Sequence, residues 1–199
     1  MEPLFLVLLC LAAYAAGSVL FAMPVCRLWR LPDPRAQGSG NAGATNVFRI
    51  GGWPPAVLTL ALDAGKGWLP VWLAQQFQYS IYIQAVVALC AVTGHMVPAF
   101  YRFQGGKGVA TFLGVLLAAA WPVGILTCLT WLGAALMFRI SSLSALVCAI
   151  AAPLLCLAFG REDAALLALF LAALIYWRHR TNIDRIAKGE EPLIGAKKT

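Results

Sequence analysis

Residues 35–52 read RAQGSGNAGATNVFRIGG, with Gly38, Gly40 and Gly43 alternating with Ser39, Asn41, Thr45 and Asn46 ahead of Arg49. Glycines let the backbone turn so that successive N–H groups converge on an anion. Small hydroxyls and amides add donors, and an Arg supplies two-pronged charge. A plain linker after Pro32-Asp33-Pro34 has no reason to hold two Asn, a Thr and an Arg at helix-entry positions, so the segment reads as an anion site. A second cluster, Gly105-Gly106-Lys107-Gly108, stands just before an apolar run. Unbonded N–H groups, the positive end of a helix dipole and an ammonium group then meet at one place, which suits phosphate. It is not a Walker A loop: Gly108 stands where Ser or Thr should follow the Lys, and no upstream Gly has the required spacing, so nucleotide hydrolysis is disfavoured. Both clusters run into Ala-Thr, but the shared stretch is too short to make an internal repeat.

Further polar residues recur near these blocks. His179 and Asn182 stand three apart after Tyr176-Trp177 and share a face if the tail is helical, with Arg185 beyond them. Taken alone, a His among Arg residues is an ordinary solvated interfacial group. His95 follows Gly94 at the end of an apolar run, which favours a structural hydrogen bond over catalysis. Ser141-Ser142 after Arg139 could cap a helix. Asp63 and Lys66 lie at i,i+3 within an apolar run, where ionisable groups are costly unless they pair or line a wet cavity. They are read as a pair that also walls the cavity beneath the glycine loops.

The elements that hold these residues are apolar. Of 199 residues, 61% are apolar and 12% charged, against roughly 45–50% and about 25% in ordinary globular chains. The chain therefore reads as an all-α integral membrane protein, one domain over 1–199, with no room for a separate soluble domain. The net charge of +7 then points to anionic lipid and anionic substrates, not to nucleic acid. Apolar runs fall at about 3–23, 54–76, 80–99, 109–120, 122–138, 142–159 and 163–177, followed by a tail over 178–199. The first run lacks the basic preamble of a cleavable signal peptide and is expected to remain as a helix. Whether 109–138 is one helix or two is decided by charge. Seven crossings with the N-terminus outside put 13 of the Lys and Arg residues in the cytoplasm and only Arg161 outside, with Lys66 inside a helix. Six crossings divide them seven to seven, which ignores the positive-inside rule. Seven helices with a cytoplasmic C-terminus are expected, the fourth short or partly re-entrant, with the polar chemistry gathered at the cytoplasmic face. The six cysteines show no CxxC or paired spacing, so neither a disulfide nor a metal site is expected.

The blocks GSGNAGATNVFR, GH-x-x-P-x-x-x-x-F-x-GGKGVAT, SSL and H-R-x-N-I-x-R-x-x-x-G-x-E resemble the bacterial acyl-phosphate:glycerol-3-phosphate acyltransferases, the PlsY family, from the first helix into the tail. The resemblance implies a multi-pass inner-membrane enzyme that moves a fatty acyl group from acyl phosphate to the 1-hydroxyl of sn-glycerol 3-phosphate. Lysophosphatidic acid and phosphate are the implied products, at the first step of phospholipid synthesis. Neither acyl-CoA nor acyl carrier protein serves directly as donor, and no cofactor is implied. The residues agree independently. Two phosphoanionic substrates match two glycine-rich basic loops, and a mixed anhydride needs no covalent nucleophile. No Cys lies in the glycine blocks and no Ser sits in a G-x-S-x-G elbow.

Carried onto this sequence, the family implies catalytic roles for Ser39, Asn41, Lys107, His179 and Asn182. Gly38, Gly40, Gly43, Thr45, Asn46, Arg49, Gly105, Gly106, Gly108 and Ser142 are implied to bind substrate. The loop at 39–45 holds the acyl-phosphate head in this scheme, while Arg49 and Lys107 neutralise phosphate. Ser142, His179 and Asn182 orient glycerol 3-phosphate, and the hydroxyl proton passes either to a substrate phosphate oxygen or to His179. His179 to Asp184 also spells H-x4-D, the spacing of a different acyltransferase superfamily, but its other blocks are missing and Asp184 reads as a solvated carboxylate. The rival class is a transporter of phosphate or glycerol phosphate. Such folds place sites at the midplane between broken repeats, whereas the donors here cluster on one face. Oligomeric state leaves no mark in the sequence.

Overall fold

The computed structural model describes residues 3–195; Lys197 and Lys198, which enter the charge count above, lie outside them. Every regular element among the described residues is helical. They are α1 (Pro3–Ser18), α2 (Ala22–Leu28), α3 (Ala44–Gly51), α4 (Trp53–Gln76), α5 (Ile81–Met96), α6 (Val109–Ala119), α7 (Trp121–Phe138), α8 (Ser141–Ala158), α9 (Glu162–Arg178) and α10 (Arg180–Ala187), with one 3-10 turn at Ala99–Tyr101.

Several boundaries follow from local chemistry. Pro sits in the first two positions of α4 and α7, where its missing N–H costs nothing and its fixed φ suits helix entry. The apolar run at 3–23 does not form one straight helix. It ends at Ser18 and resumes at Ala22 with a 47° bend. Ser18 Oγ donates back to the Tyr14 carbonyl at 2.8 Å, a local bond of the kind that bends helices. The stretch 109–138 splits at Ala120, so α6 is only 11 residues, about 16 Å at 1.5 Å per residue. This short helix is central. Thr111, Phe112, Leu113, Gly114, Val115 and Leu116 are all buried, so protein and not lipid surrounds its backbone ends. It lies tight against α4 because Gly114 meets the Ala64 carbonyl and Gly67 meets the Thr111 carbonyl, where no Cβ fits.

The core runs through this centre. Val71, Val92, Phe112, Val115 and Leu116 pack with Cys148, Ala152, Leu171 and Ile175 from α8 and α9. The outer faces are apolar too, with Leu129, Leu136, Leu154, Leu169 and Phe170 more than half exposed. An apolar belt of that extent suits lipid and not water. By length and composition α7, α8 and the Ile81–Tyr101 segment can each cross a membrane, and the bent α1–α2 pair can make a fourth span. The six cysteines are free thiols.

Candidate active site

The loop before α3 is built around a buried amide. Asn46 is 1% exposed; its Nδ2 donates to the Pro34 carbonyl at 2.7 Å and the Gln37 carbonyl at 3.0 Å, while Oδ1 accepts from the Ser39 N–H at 2.8 Å. These bonds curl the loop, with Gly38 and Gly40 at φ +66° and +73°, and bring Ser39 and Asn41 to its rim. Thr45 Oγ1 shares a 2.9 Å hydrogen bond with Ser141 Oγ, tying the loop to the start of α8.

The GGKG loop is clamped from two sides. The Gly106 N–H donates to the His95 carbonyl at 3.1 Å. On the other side Arg178 donates through Nη2 to the Gly105 carbonyl at 2.8 Å and through Nε to the Gly106 carbonyl at 3.1 Å. Gly108, at φ +80°, then starts α6.

Both loops open on one cleft of about 270 Å³, whose remaining walls come from the junction of α9 and α10. Ser39, Gly40 and Asn41 form one side, Lys107 another, and Arg178, Arg180, Thr181, Asn182 and Arg185 the third. Four cations and a set of neutral donors therefore face one space, with no carboxylate among the lining residues. Such a space takes anions. Burial pulls the Lys107 ammonium down to about 8; Glu191 opposes the shift, while Arg185, Arg49 and Arg178 add to it.

His179 stands behind the cleft, 2% exposed, with Nδ1 2.8 Å from the Ile175 carbonyl. A carbonyl only accepts, so Nδ1 carries the proton and Nε2 keeps a lone pair. Burial, helped by the Lys107 charge, pushes the imidazole down to about 4, so the ring is neutral near pH 7.

A carboxylate completes the assembly. Glu191 accepts from Ser142 Oγ at 2.7 Å and Asn182 Nδ2 at 2.5 Å through Oε1, and from Arg185 Nε at 2.7 Å through Oε2. Burial works to raise this carboxyl, but those three hydrogen bonds outweigh it and hold Glu191 below the usual carboxylate range. Arg49 Nη2 donates to the Pro192 and Leu193 carbonyls, both at 3.3 Å, and the Ile194 N–H donates to the Arg139 carbonyl at 2.7 Å. The segment 191–194 thus straps α10 to α3 and to the start of α8.

Residues 7–189 match the family described as glycerol-3-phosphate acyltransferase. The chain belongs to that family. It is 49% identical to the glycerol-3-phosphate acyltransferase of Methylococcus capsulatus over 187 residues, covering 94% of each chain. The enzyme of the same name from Maricaulis maris is 50% identical over 188 residues, 94% of this chain and 86% of its own. Two crystal structures of PlsY (YgiH), described as an integral membrane glycerol 3-phosphate acyltransferase, share the fold. The glycerol 3-phosphate form superposes with a TM-score of 0.90 at 38% identity over 96% of both chains, and the lysophosphatidic acid form with 0.88 at 37%. The chain is accordingly a multi-pass membrane acyltransferase.

For this acyltransferase, the structure brings Ser39, Asn41, Lys107 and Asn182 to one cleft, with Gly40 beside them. Gly38, Gly43, Gly105, Gly106 and Gly108 shape the two loops without lining it. Asn46 has its polar atoms engaged inside the loop, and Thr45 is engaged by Ser141. Ser142 and Arg49 are engaged by the 191–193 segment. Ser141 and Ser142 do not cap α8, because the N-cap position falls on Ile140. Asp63 and Lys66 do pair, at 2.6 Å, but neither lines the cleft. Lys66 Nζ instead donates to the Val19 carbonyl at 2.5 Å, in the α1–α2 break.

Sequence reasoning missed Arg178, Arg180 and Thr181 as cleft residues, having taken the tail arginines as topology signals. It also gave Glu191 no role. The available signal was an acidic residue within a strongly basic segment of a chain with only eight acidic residues.

Proposed function

We propose that this acyltransferase moves a fatty acyl group from acyl phosphate to the 1-hydroxyl of sn-glycerol 3-phosphate, giving lysophosphatidic acid and phosphate. The observation that carries the reading is the cleft in which Lys107, Arg178, Arg180 and Arg185 converge with Ser39, Asn41 and Asn182. Two phosphoanions need such a site, and a fatty donor needs it beside an apolar belt.

The glycerol oxygen attacks the acyl carbon, the new C–O ester bond forms, and the bond from that carbon to the bridging phosphate oxygen breaks. Negative charge builds on the acyl oxygen and then on the leaving phosphate, where fixed donors act without reorganising. Ser39, Asn41 and the loop N–H groups hold the acyl-phosphate head, and Lys107 neutralises phosphate. Asn182, His179 and Ser142 orient glycerol 3-phosphate, with Arg49 adding charge from behind the strap. The hydroxyl proton goes to a phosphate oxygen. With its ring pushed down to about 4, His179 is a weak base at neutral pH, far from the match that general-base catalysis requires.

Seven crossings of a bacterial inner membrane, with the N-terminus outside and the cleft cytoplasmic, complete the proposal. The 13-to-one distribution of basic residues supports that orientation. The deciding assay uses purified protein, acyl phosphate and glycerol 3-phosphate, and reads phosphate release together with acylated product. Turnover with both substrates is expected; phosphate release without acylated glycerol phosphate would sink the acceptor assignment.

A further inference from the structure

Away from the cleft, the bundle buries three titratable side chains that the reaction scheme does not use. Asp63 is 1% exposed, Lys66 6% and His95 4%. Burying charge is costly even when the partners meet, and a hydrophobic replacement of the pair would often be as stable, so stability alone gives the pair little reason to be there. Their contacts point elsewhere. Lys66 reaches across from α4 to the Val19 carbonyl, where the α1–α2 bend interrupts the helical hydrogen-bond ladder. Asp63 holds Lys66 at 2.6 Å and places the same oxygen 3.7 Å from His95 Nδ1. His95 stands at the end of α5 and presents two surfaces to the GGKG loop. Its carbonyl accepts the Gly106 N–H at 3.1 Å. Its ring lies so close that a Cβ at position 106 would run into Nε2. The residue after Gly106 is Lys107, which faces the cleft.

We propose that Asp63, Lys66 and His95 form a buried positioning unit that sets the seat of Gly106 and thereby the place of Lys107 in the cleft. The α1–α2 bend and α4 fix Lys66, Lys66 fixes Asp63, and the Asp63 carboxylate, 3.7 Å from Nδ1 and so too far for a hydrogen bond, bears through its charge on the His95 ring against which Gly106 rests. Arg178 closes the loop from the opposite side, so the backbone at Lys107 has a rigid stop on each flank. None of the three lines the cleft. This inference rests on the assignment of Lys107 to the phosphate site made above.

A double-mutant cycle tests it, with kcat/KM measured per folded enzyme in detergent. Asp63→Asn/Lys66→Met removes both charges together and leaves no lone buried ion. Gly106→Ala pushes directly on the His95 ring, whose Nε2 the new methyl group meets first. Each is expected to lower kcat/KM about 10-fold, the size of one charge-assisted contact. Lys107→Ala is then introduced into the parent and into each variant. Because residues acting as a unit are not additive, Lys107→Ala should cost at least ~10-fold in the parent but less than ~3-fold in the variants. A unit that merely holds the bundle together would lower the folded yield and leave the Lys107 effect undiminished. Full additivity in whichever variant folds overturns the proposal. No loss on Lys107→Ala in the parent overturns the phosphate-site assignment, and the positioning role with it.

Discussion

Asn182 donates a 2.5 Å hydrogen bond to Glu191, and the oxygen that accepts it also accepts from Ser142. Two residues assigned to glycerol 3-phosphate therefore converge on a carboxylate of the chain itself, with Arg185 on its second oxygen. Glu191 orders these donors before any substrate arrives. Glu191→Ala leaves the Asn182 amide and the Ser142 hydroxyl without their acceptor, and hydrogen bonds to charged groups are worth roughly 1.5–3 kcal/mol. The thermal midpoint of the detergent-solubilised protein should fall by several degrees. Glu191→Gln, which keeps one acceptor oxygen, should fall by less. Equal stability of Glu191→Ala and parent would remove the strap from this account.

Lys107 sets the alkaline limit. Its ammonium is expected to serve phosphate only while protonated, and its pKa is lowered to about 8. In the free enzyme, kcat/KM should therefore fall as pH rises through about 8. Bound phosphate favours the charged form, so the kcat profile should turn down at higher pH. Lys107→Arg, if active, should lose the limb because guanidinium does not titrate there. The same depression has a stability consequence. The unfolded chain holds the Lys107 proton up to an ordinary Lys value, so between about 8 and that value unfolding takes up a proton and this group makes the fold more stable as pH rises.

His179 should leave no mark between pH 5 and 8. Burial holds the ring at about 4, so it stays neutral from pH 5 to 8 and kcat/KM should show no His179 limb in that range. His179→Ala is expected to raise KM for glycerol 3-phosphate with the profile shape intact, the pattern of weakened substrate binding. Removal of a limb by this substitution would restore the general-base role.

Donor identity separates this site from thioester-handling acyltransferases. Acyl phosphate should support turnover and acyl-CoA should not, because the cleft is built of cations and neutral donors for a phosphoryl leaving group. Comparable rates with acyl-CoA would require a role for Asp184 in the H-x4-D spacing at His179.

What the sequence reveals of this molecule follows the range of each interaction. Gly38, Gly40 and Lys107 are legible because glycine spacing and helix-entry chemistry are local, whereas Asn182 takes its role from the family resemblance. The break within 109–138 is legible because only a split there keeps the basic residues on one side of the membrane. Partners brought together by the fold are not. Asn46 reads in the sequence as one more donor to an anion, and only the curled loop turns it into an internal staple for Pro34, Gln37 and Ser39. Arg178 carries the same charge as its neighbours in sequence, and only the packing of α9 against the GGKG loop gives it two carbonyls. The bend after Ser18 escapes for a similar reason, since Gly17-Ser18 is a small interruption of the apolar run at 3–23 and the Lys66 contact at Val19 comes from α4.

The last prediction joins the thiols to the topology. No thiolate takes part in the proposed chemistry, and none of the six cysteines lines the cleft. Replacing all six with Ala or Ser should leave turnover within ~3-fold of the parent, with losses confined to yield where packing is disturbed, because Cys148 and Cys156 are fully buried and behave as small hydrophobes. That variant then serves as a background for single cysteines. A probe that does not cross membranes should reach residue 160 from outside the intact cell and reach residues 104 and 190 only after the membrane is opened. Residue 160 lies in the turn between α8 and α9, residue 104 precedes the GGKG loop, and residue 190 leads into the strap, so the three report opposite ends of the bundle. Labelling of 160 and 190 from the same side would mean that α9 does not cross the membrane and would remove the seven-crossing proposal.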